Sequence, residues 1–369
     1  MLSYEARKPQ SPLVSFTAAF LSLVGSTIQL VTLPYWLTNF DNNGYEGGPF
    51  TVLFTESLLF FLVFNIWYLG YVLYYKKKFS LKIFFPSTYF KYGLSIGLFD
   101  ALNGLFIVYN SDPSRVATYL QLIFITAGFL FAPLMTWVFI KDKRNLRYLR
   151  SQYLELGHFI ALILVVLSIV IISVPYGLDQ LSTGPWYYCV FYFLGSLFGN
   201  IYNIAQEKYP EKIIDKDVRS KFSIRTEVLA ACCFYQLLFI CISFPILPAT
   251  PFANTWSYNG MTEFFASSIK CMFVCKYNFL YYLVFGFGYI ITYLGNVVLN
   301  EESAVFTILA STLSIPISAV LFFVFSSDQL EDLLYIIPSF VLLILAVGLW
   351  RIRDQKAAKA HFETININY

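Results

Sequence analysis

Residues 89–110 read YFKYGLSIGLFDALNGLFIVYN, residues 111–116 read SDPSRV, and residues 117–140 read ATYLQLIFITAGFLFAPLMTWVFI. The first and third stretches are apolar over the ~20 residues a helix needs to cross a hydrocarbon core of about 30 Å. Between them Asn110-Ser-Asp-Pro-Ser114 is a turn sequence, with φ preset at Pro113. Two membrane-length helices joined by so short a link form a hairpin, so the chain passes through a bilayer and returns.

The same alternation of apolar run and short polar link continues outward in both directions. It predicts transmembrane segments at 12–38, 51–75, 89–110, 117–140, 153–176, 184–206, 224–247, 279–299, 303–325 and 333–352. Segment 12–38 is too long for the apolar core of a signal peptide and lacks a clear small-residue cleavage site, so it reads as a first membrane helix. A second tight link, Asn300-Glu301-Glu302, joins segments eight and nine.

Composition agrees with the pattern. Apolar residues make up 58% and charged residues 13% of the 369, against roughly 45–50% and about 25% in soluble domains. A mean hydropathy of +0.63 leaves too little polar surface to coat a water-soluble globule. The 39 Phe and 28 Tyr read first as lipid-facing bulk and interfacial belts. No basic run interleaved with aromatics suggests a nucleic-acid site.

The basic residues test the segment count. With both termini and the even-numbered links on one side, that side carries 22 of the 25 Lys and Arg. Arg115, Lys270 and Lys276 fall on the other. Positive charge accumulates on the cytosolic side, so both termini are expected there. A missed or extra helix would scramble the asymmetry.

Ten segments divide into two sets of five, residues 1–180 and 181–369. An odd number of crossings inverts the second copy, so an inverted repeat is expected. Internal similarity is weak: segments four and nine both follow a tight turn and carry a proline, Pro133 and Pro316. The expected fold class is therefore all-α and polytopic, with ten transmembrane helices as two inverted five-helix repeats. The long link 248–278 holds a possible amphipathic stretch at 261–275 with Cys271 and Cys275. Within one continuous helix a disulfide at that spacing would be strained, whereas a loop could join them. Bonded and free thiols are both open readings. Cys189, Cys232, Cys233 and Cys241 lie in apolar segments and read as small packing residues.

Ionisable groups in mid-membrane cost about 2.5–3.5 kcal/mol on insertion scales, so each is a functional hypothesis. Asp100, in Gly97-Leu-Phe-Asp100-Ala-Leu-Asn-Gly104, is the sharpest candidate. Desolvation favours the neutral form of a carboxyl group, which suits proton binding; a hydrogen-bonded structural carboxylate is the plainer alternative. For Glu56, near the end of segment two, the structural reading comes first. Glu155 and His158, spaced i,i+3 beside Arg147 and Arg150, read as an interfacial salt-bridge cluster, as does Glu227 beside Arg225. Gln29, Gln121, Asn200, Asn203, Gln236 and Asn296 lie in apolar segments, where each either joins helices or lines a shared polar cavity. Pro133, Pro245, Pro316 and Pro338 are candidate kinks. No cofactor is implied. Two His, one in the tail, argue against a His-based metal site; the absence of a nucleophile elbow and of a P-loop argues against an enzyme or an ATP-driven pump.

Four stretches together resemble the chloroquine-resistance-transporter-like (CRT-like) family of the drug/metabolite transporter superfamily. They are Ser114-Arg-Val-Ala-Thr-Tyr-Leu-Gln-Leu-Ile-Phe-Ile125, the basic turn Lys141-Asp-Lys-Arg-Asn-Leu-Arg147, Cys233-Phe-Tyr-Gln-Leu-Leu-Phe239 before Pro248, and Phe306-Thr-Ile-Leu-Ala-Ser-Thr-Leu-Ser-Ile-Pro316. The resemblance implies ten helices around a central cavity, alternating access, and proton-coupled export of a small solute from an acidic vacuole or endolysosome to the cytosol. Peptides, amino acids, glutathione-type thiols and cationic drugs are the implied substrates. By position it implies a proton-coupling role for Glu56 and Asp100 and a substrate cavity that includes Gln29, Gln121 and Gln236. Asn296 is the nearest polar group to the family's acidic residues in helix eight, which this chain lacks. Ile125 stands where the family has a proline after Gln121, and the loop has two cysteines in place of four.

The expected partners are a small-molecule substrate, protons and the lipid bilayer; oligomeric state is left open. One alternative is a nucleotide-sugar or triose-phosphate carrier of the same superfamily. It would need a cavity Lys or Arg, and none lies in mid-membrane. The other is a membrane scaffold that transports nothing.

Overall fold

The computed structural model describes residues 11–45, 48–75, 88–113, 115–116, 118–140, 156–173, 186–214, 221–250, 260–301, 303–326 and 333–367. Among these the regular structure is helical: α1 Pro12–Asn42, α2 Gly48–Tyr74, α3 Thr88–Asn110, α4 Thr118–Ile140, α5 Leu156–Ser173, α6 Trp186–Ile214, α7 Lys221–Ser243, α8 Met261–Val274, α9 Asn278–Leu299, α10 Ala304–Thr312, α11 Ser314–Ser326 and α12 Leu333–Ile367. Among the described residues six spans are long and apolar enough to cross a membrane: Pro12–Asn42, Gly48–Tyr74, Phe90–Asn110, Arg225–Ala249, Asn278–Leu299 and Ala304–Leu321. Ile123–Thr136 and Leu156–Ile171 are shorter apolar helices. Tyr, Gly and Asn along α6 dilute its apolar character.

Helix ends follow local chemistry. The Ser11 hydroxyl caps α1 by accepting from the Val14 N–H at 3.4 Å, with Pro12 in the first turn, where a missing N–H costs nothing. Ser303 caps α10 the same way, accepting from Phe306 N at 3.2 Å. The prolines act differently from one another. Pro34, Pro133 and Pro338 sit inside unbroken helices. Pro245 instead opens a 3-10 turn at Phe244–Ala249, ending α7 short of the expected boundary. Segment nine, expected as one helix, breaks at Leu313 into α10 and α11. Pro316 has no N–H to give the Thr312 carbonyl, which removes the hydrogen bond that would have carried the helix through. The tail, expected to leave the helix near residue 352, continues helical to Ile367.

Lipid gives helices no hydrophobic reason to associate, so packing and interhelical hydrogen bonds must do it. The α1–α9 pair does so with small residues. A Cβ on Gly25 would collide with the Thr292 hydroxyl and the Gly288 carbonyl, one on Gly295 would lie 2.6 Å from the Ala18 carbonyl, and one on Gly288 would lie 2.7 Å from the Ile28 side chain. The two backbones therefore touch. Ser22 donates to Asn296 Oδ1 at 2.7 Å and Gln29 Nε2 to Thr292 Oγ1 at 2.7 Å, closing the seam with hydrogen bonds. α3 packs on α6 by the same device, with Gly195 and Gly199 against Phe106, Ile107 and Asn103. α5 packs on α12, where the Ser168 and Ser339 hydroxyls meet at 2.7 Å.

The outside of the bundle is apolar. Leu62, Ile66, Leu69 and Leu73 on α2, Phe159, Ile163, Leu167 and Val170 on α5, and Leu334, Ile337, Val341 and Ile344 on α12 are exposed. Hydrocarbon side chains presented outward along whole helices need an apolar solvent. With the buried backbone satisfied inside helices, this is the architecture of a multi-pass integral membrane protein.

Candidate functional site

Asp100 lies halfway along α3 and is almost fully buried (1% exposed). Gly97, one turn earlier, lets α7 approach until the backbone at Gln236 N would lie 2.9 Å from a Cβ at that position. That approach brings Cys232 beside the carboxylate, where its thiol donates to Oδ2 at 3.6 Å. From α9 the Tyr293 hydroxyl donates to the same oxygen. Aromatic rings seal the group. Tyr293 packs edge-on against Phe60 at 5.6 Å, Phe64 at 5.7 Å and Tyr202 at 6.2 Å. Tyr289 stacks on Phe60 at 4.6 Å. Asp100 is thus an acid held at the junction of α3, α7 and α9, closed off by α2 and α6, with weakly acidic phenol and thiol groups as its company.

Glu56 on α2 is also buried (3% exposed), and neither carboxyl oxygen has a hydrogen-bond partner among the described atoms. It faces α9, where Oε2 would lie 2.9 Å from a Cβ at Gly286. Trp36, Tyr282 and Phe285 lie around this part of the bundle, with Trp36 at 5.8 Å from Phe285 and 6.2 Å from Tyr282. Gly286 therefore makes room for the carboxyl group.

The six amides do not gather in one cavity. Gln29 and Asn296 belong to the α1–α9 seam. Asn200 on α6 donates to the Gly128 carbonyl of α4 at 2.7 Å. Gln121 stitches the α3–α4 turn, donating to the Ser111 carbonyl at 2.9 Å and the Val116 carbonyl at 2.7 Å. Asn203 accepts from Asn300 at 2.8 Å. Gln236 stays buried with Oε1 unpartnered. An amide in an apolar bundle takes the nearest free carbonyl or hydroxyl, so dispersal is the cheaper outcome.

One end of the bundle carries a polar layer that sequence reasoning missed. Arg225 of α7 forms a two-pronged pair with Glu301, both contacts at 2.7 Å. Asn300 donates to Gln206 Oε1 at 2.7 Å, Gln206 donates to the Tyr202 hydroxyl at 2.7 Å, and Glu207 accepts from Ala304 N at 2.9 Å at the start of α10. The layer fastens α6 and α7 to the α9–α10 turn. Glu155, Arg147 and Arg150 lie outside the described residues. His158 is buried in the α5–α12 interface, edge-on to Trp350 at 4.7 Å.

At the opposite end Cys271 and Cys275 form a disulfide, with Cα atoms 4.8 Å apart. The helix stops at Val274 and Cys275 is extended (φ −72°, ψ 137°), so the pair closes at a helix end and not within a continuous helix. Asn278 donates to Cys271 Sγ at 3.2 Å and accepts from Asn39 of α1 at 2.6 Å, so the bridge is tied to the α1–α9 pair.

Tyr293 was the residue to find. On α9, Gly288, Thr292 and Gly295 mark one face while Phe285, Tyr289 and Tyr293 recur every four residues on another. That segregation is legible in the sequence; that the aromatic face meets Asp100 is not.

No protein-family profile and no curated protein matches the chain. A solved structure described only as the crystal structure of a protein aligns over 93% of this chain and 98% of its own, with TM-score 0.46 and 13% identity.

Proposed function

We propose that this chain is a secondary transporter that moves a small solute across an endomembrane by alternating access, coupled to protons. The observation that carries the reading is Asp100: a carboxyl group buried in mid-bundle, where three helices converge and a phenol and a thiol donate to it. A carboxyl group so placed costs free energy unless its protonation is used. Glu56, buried without a partner near the disulfide end, is the second proton-coupling group.

The ten-segment, two-repeat organisation belongs to this proposal. If segments one to five exchange with six to ten, the α1–α9 pairing maps onto α6–α3, and α5–α12 and α2–α7 map onto themselves; all four pairings are extensive. That correspondence favours residues 1–180 and 181–369 as inverted halves that rock about a central site. The charge asymmetry favours a cytosolic side for both termini and for the Arg225–Glu301 layer. The disulfide then lies on an oxidising, lumenal side. Membership of the CRT-like family, and with it a vacuolar or endolysosomal membrane and peptide, amino-acid, thiol or cationic-drug substrates, rests on the resemblance of the four stretches.

The test is uptake by proteoliposomes of the purified chain under an imposed pH gradient, with radiolabelled amino acids, a short peptide, glutathione and a cationic drug. Gradient-driven uptake of one of these is expected. No uptake of any by folded, correctly inserted protein overturns the reading and moves the weight to anionic-substrate carriers.

A further inference from the structure

We infer that Tyr293 is a positioning residue that reads the charge on Asp100 and couples it to movement of the α1–α9 pair, an inference that rests on the proton-coupled reading above. Three observations carry it. First, α1 and α9 are packed backbone to backbone at Gly25, Gly288 and Gly295 and cross-bonded at Ser22–Asn296 and Gln29–Thr292, so they move together or not at all. Second, Tyr293 projects from this pair into the α3–α7 junction and donates to Asp100 Oδ2. Third, its ring rests edge-on against Phe60, Phe64 and Tyr202, contacts that permit sliding once the hydroxyl is released.

The step is a proton exchange at one atom. With Asp100 ionised, the Tyr293 O–H donates to Oδ2 and holds the pair against α3 through a charge-assisted bond. When a proton occupies Oδ2, that oxygen becomes a donor, the charge assistance is lost, and the phenol keeps its own proton. The tie then weakens to a neutral contact and the α1–α9 pair is free to tilt.

The groups around Asp100 are consistent with a single titrating charge. α9 presents Tyr289 and Tyr293, α7 presents Cys232 and Cys233, and α6 presents Tyr202. From α2 come Phe60 and Phe64, while Glu56 lies against Gly286 further along α9. On α3 itself no other charged residue stands between Lys91 and Asp112.

The experiment pairs infrared difference spectroscopy with uptake, both on the reconstituted full chain. A protonated-carboxyl band that fades as pH rises and is missing in Asp100→Asn reports Asp100 directly, with no solute present. Tyr293→Phe keeps the ring and deletes only the donor. Losing a donor to the ionised form is expected to move the band's midpoint upward by about one to two pH units, with the pH midpoint of uptake of the panel solutes moving by the same amount. Cys232→Ala removes the weaker donor and is expected to move both midpoints less, in the same direction. An unchanged band in Tyr293→Phe overturns the positioning role. A shifted band with an unchanged uptake profile overturns the coupling. If the wild-type chain shows no gradient-driven uptake while the band still shifts, the transport reading fails and the hydrogen bond stands.

Discussion

Along the α1–α9 seam, buried polar groups pair with neutral partners: Ser22 with Asn296, and Gln29 with Thr292 and the Gly25 carbonyl. At the α3–α7–α9 junction the buried group is a carboxyl that depends on phenol and thiol donors. One helix, α9, serves both regions from different faces. A neutral pair has one protonation state and keeps one geometry, whereas a buried acid has two states and therefore two geometries. In the proposed mechanism the seam stays closed and the junction changes, which is the separation rocking needs.

The comparison breaks first at Gly25. A Leu there would drive into the Thr292 side chain and the Gly288 backbone, neither of which can retreat from the seam. Gly25→Leu is expected to cost about 3 kcal/mol or more, read as loss of the monodisperse peak or a large fall in Tm in nanodiscs. Asp100→Asn should do the reverse. It keeps the shape and removes the charge, so Tm stays close to wild type while the pH dependence of uptake falls about tenfold or more. A protein that unfolds on Asp100→Asn, or that keeps its pH dependence, would make the junction structural like the seam.

Smaller effects sharpen the boundary between the two. The Arg225–Glu301 pair is partly exposed and lies on neither region. A double-mutant cycle of Arg225→Gln and Glu301→Gln is expected to give a coupling of about 1 kcal/mol in stability, reduced by salt. Ser22→Ala deletes one hydrogen bond of the seam, and its expected cost is about 0.6 kcal/mol. Because the seam carries no titrating group, the pH midpoint of uptake should not move in Ser22→Ala. A shifted midpoint there would mean that the seam and the junction are one unit.

The reading of individual residues succeeded where local chemistry decides and stopped where partners are remote. The short links after α3 and after α9, the apolar spans and the placement of Asp100 in mid-helix all follow from short-range pattern. The break at Leu313 was within reach, since Pro316 marks it, but the periodicity on both sides continues and hides it. The dispersal of Gln29, Gln121, Asn200 and Asn296 was out of reach. Each amide's partner is a carbonyl or hydroxyl whose distance depends on how closely two helices approach. Cys232, read as a packing residue, became a donor to Asp100 for the same reason.

The sequence by itself determined that this chain is a bundle of membrane helices, because lipid offers no partner to a bare backbone and long apolar runs then have one conformation open to them. It also placed one acid in the middle of the bundle. Only the tertiary structure decided what that acid meets. Tyr293 stands 193 residues away on a different helix. Nothing local to either residue aligns them; the fit of glycines along α1–α9 and at Gly97 sets the helix spacing, and that spacing brings phenol and carboxyl together.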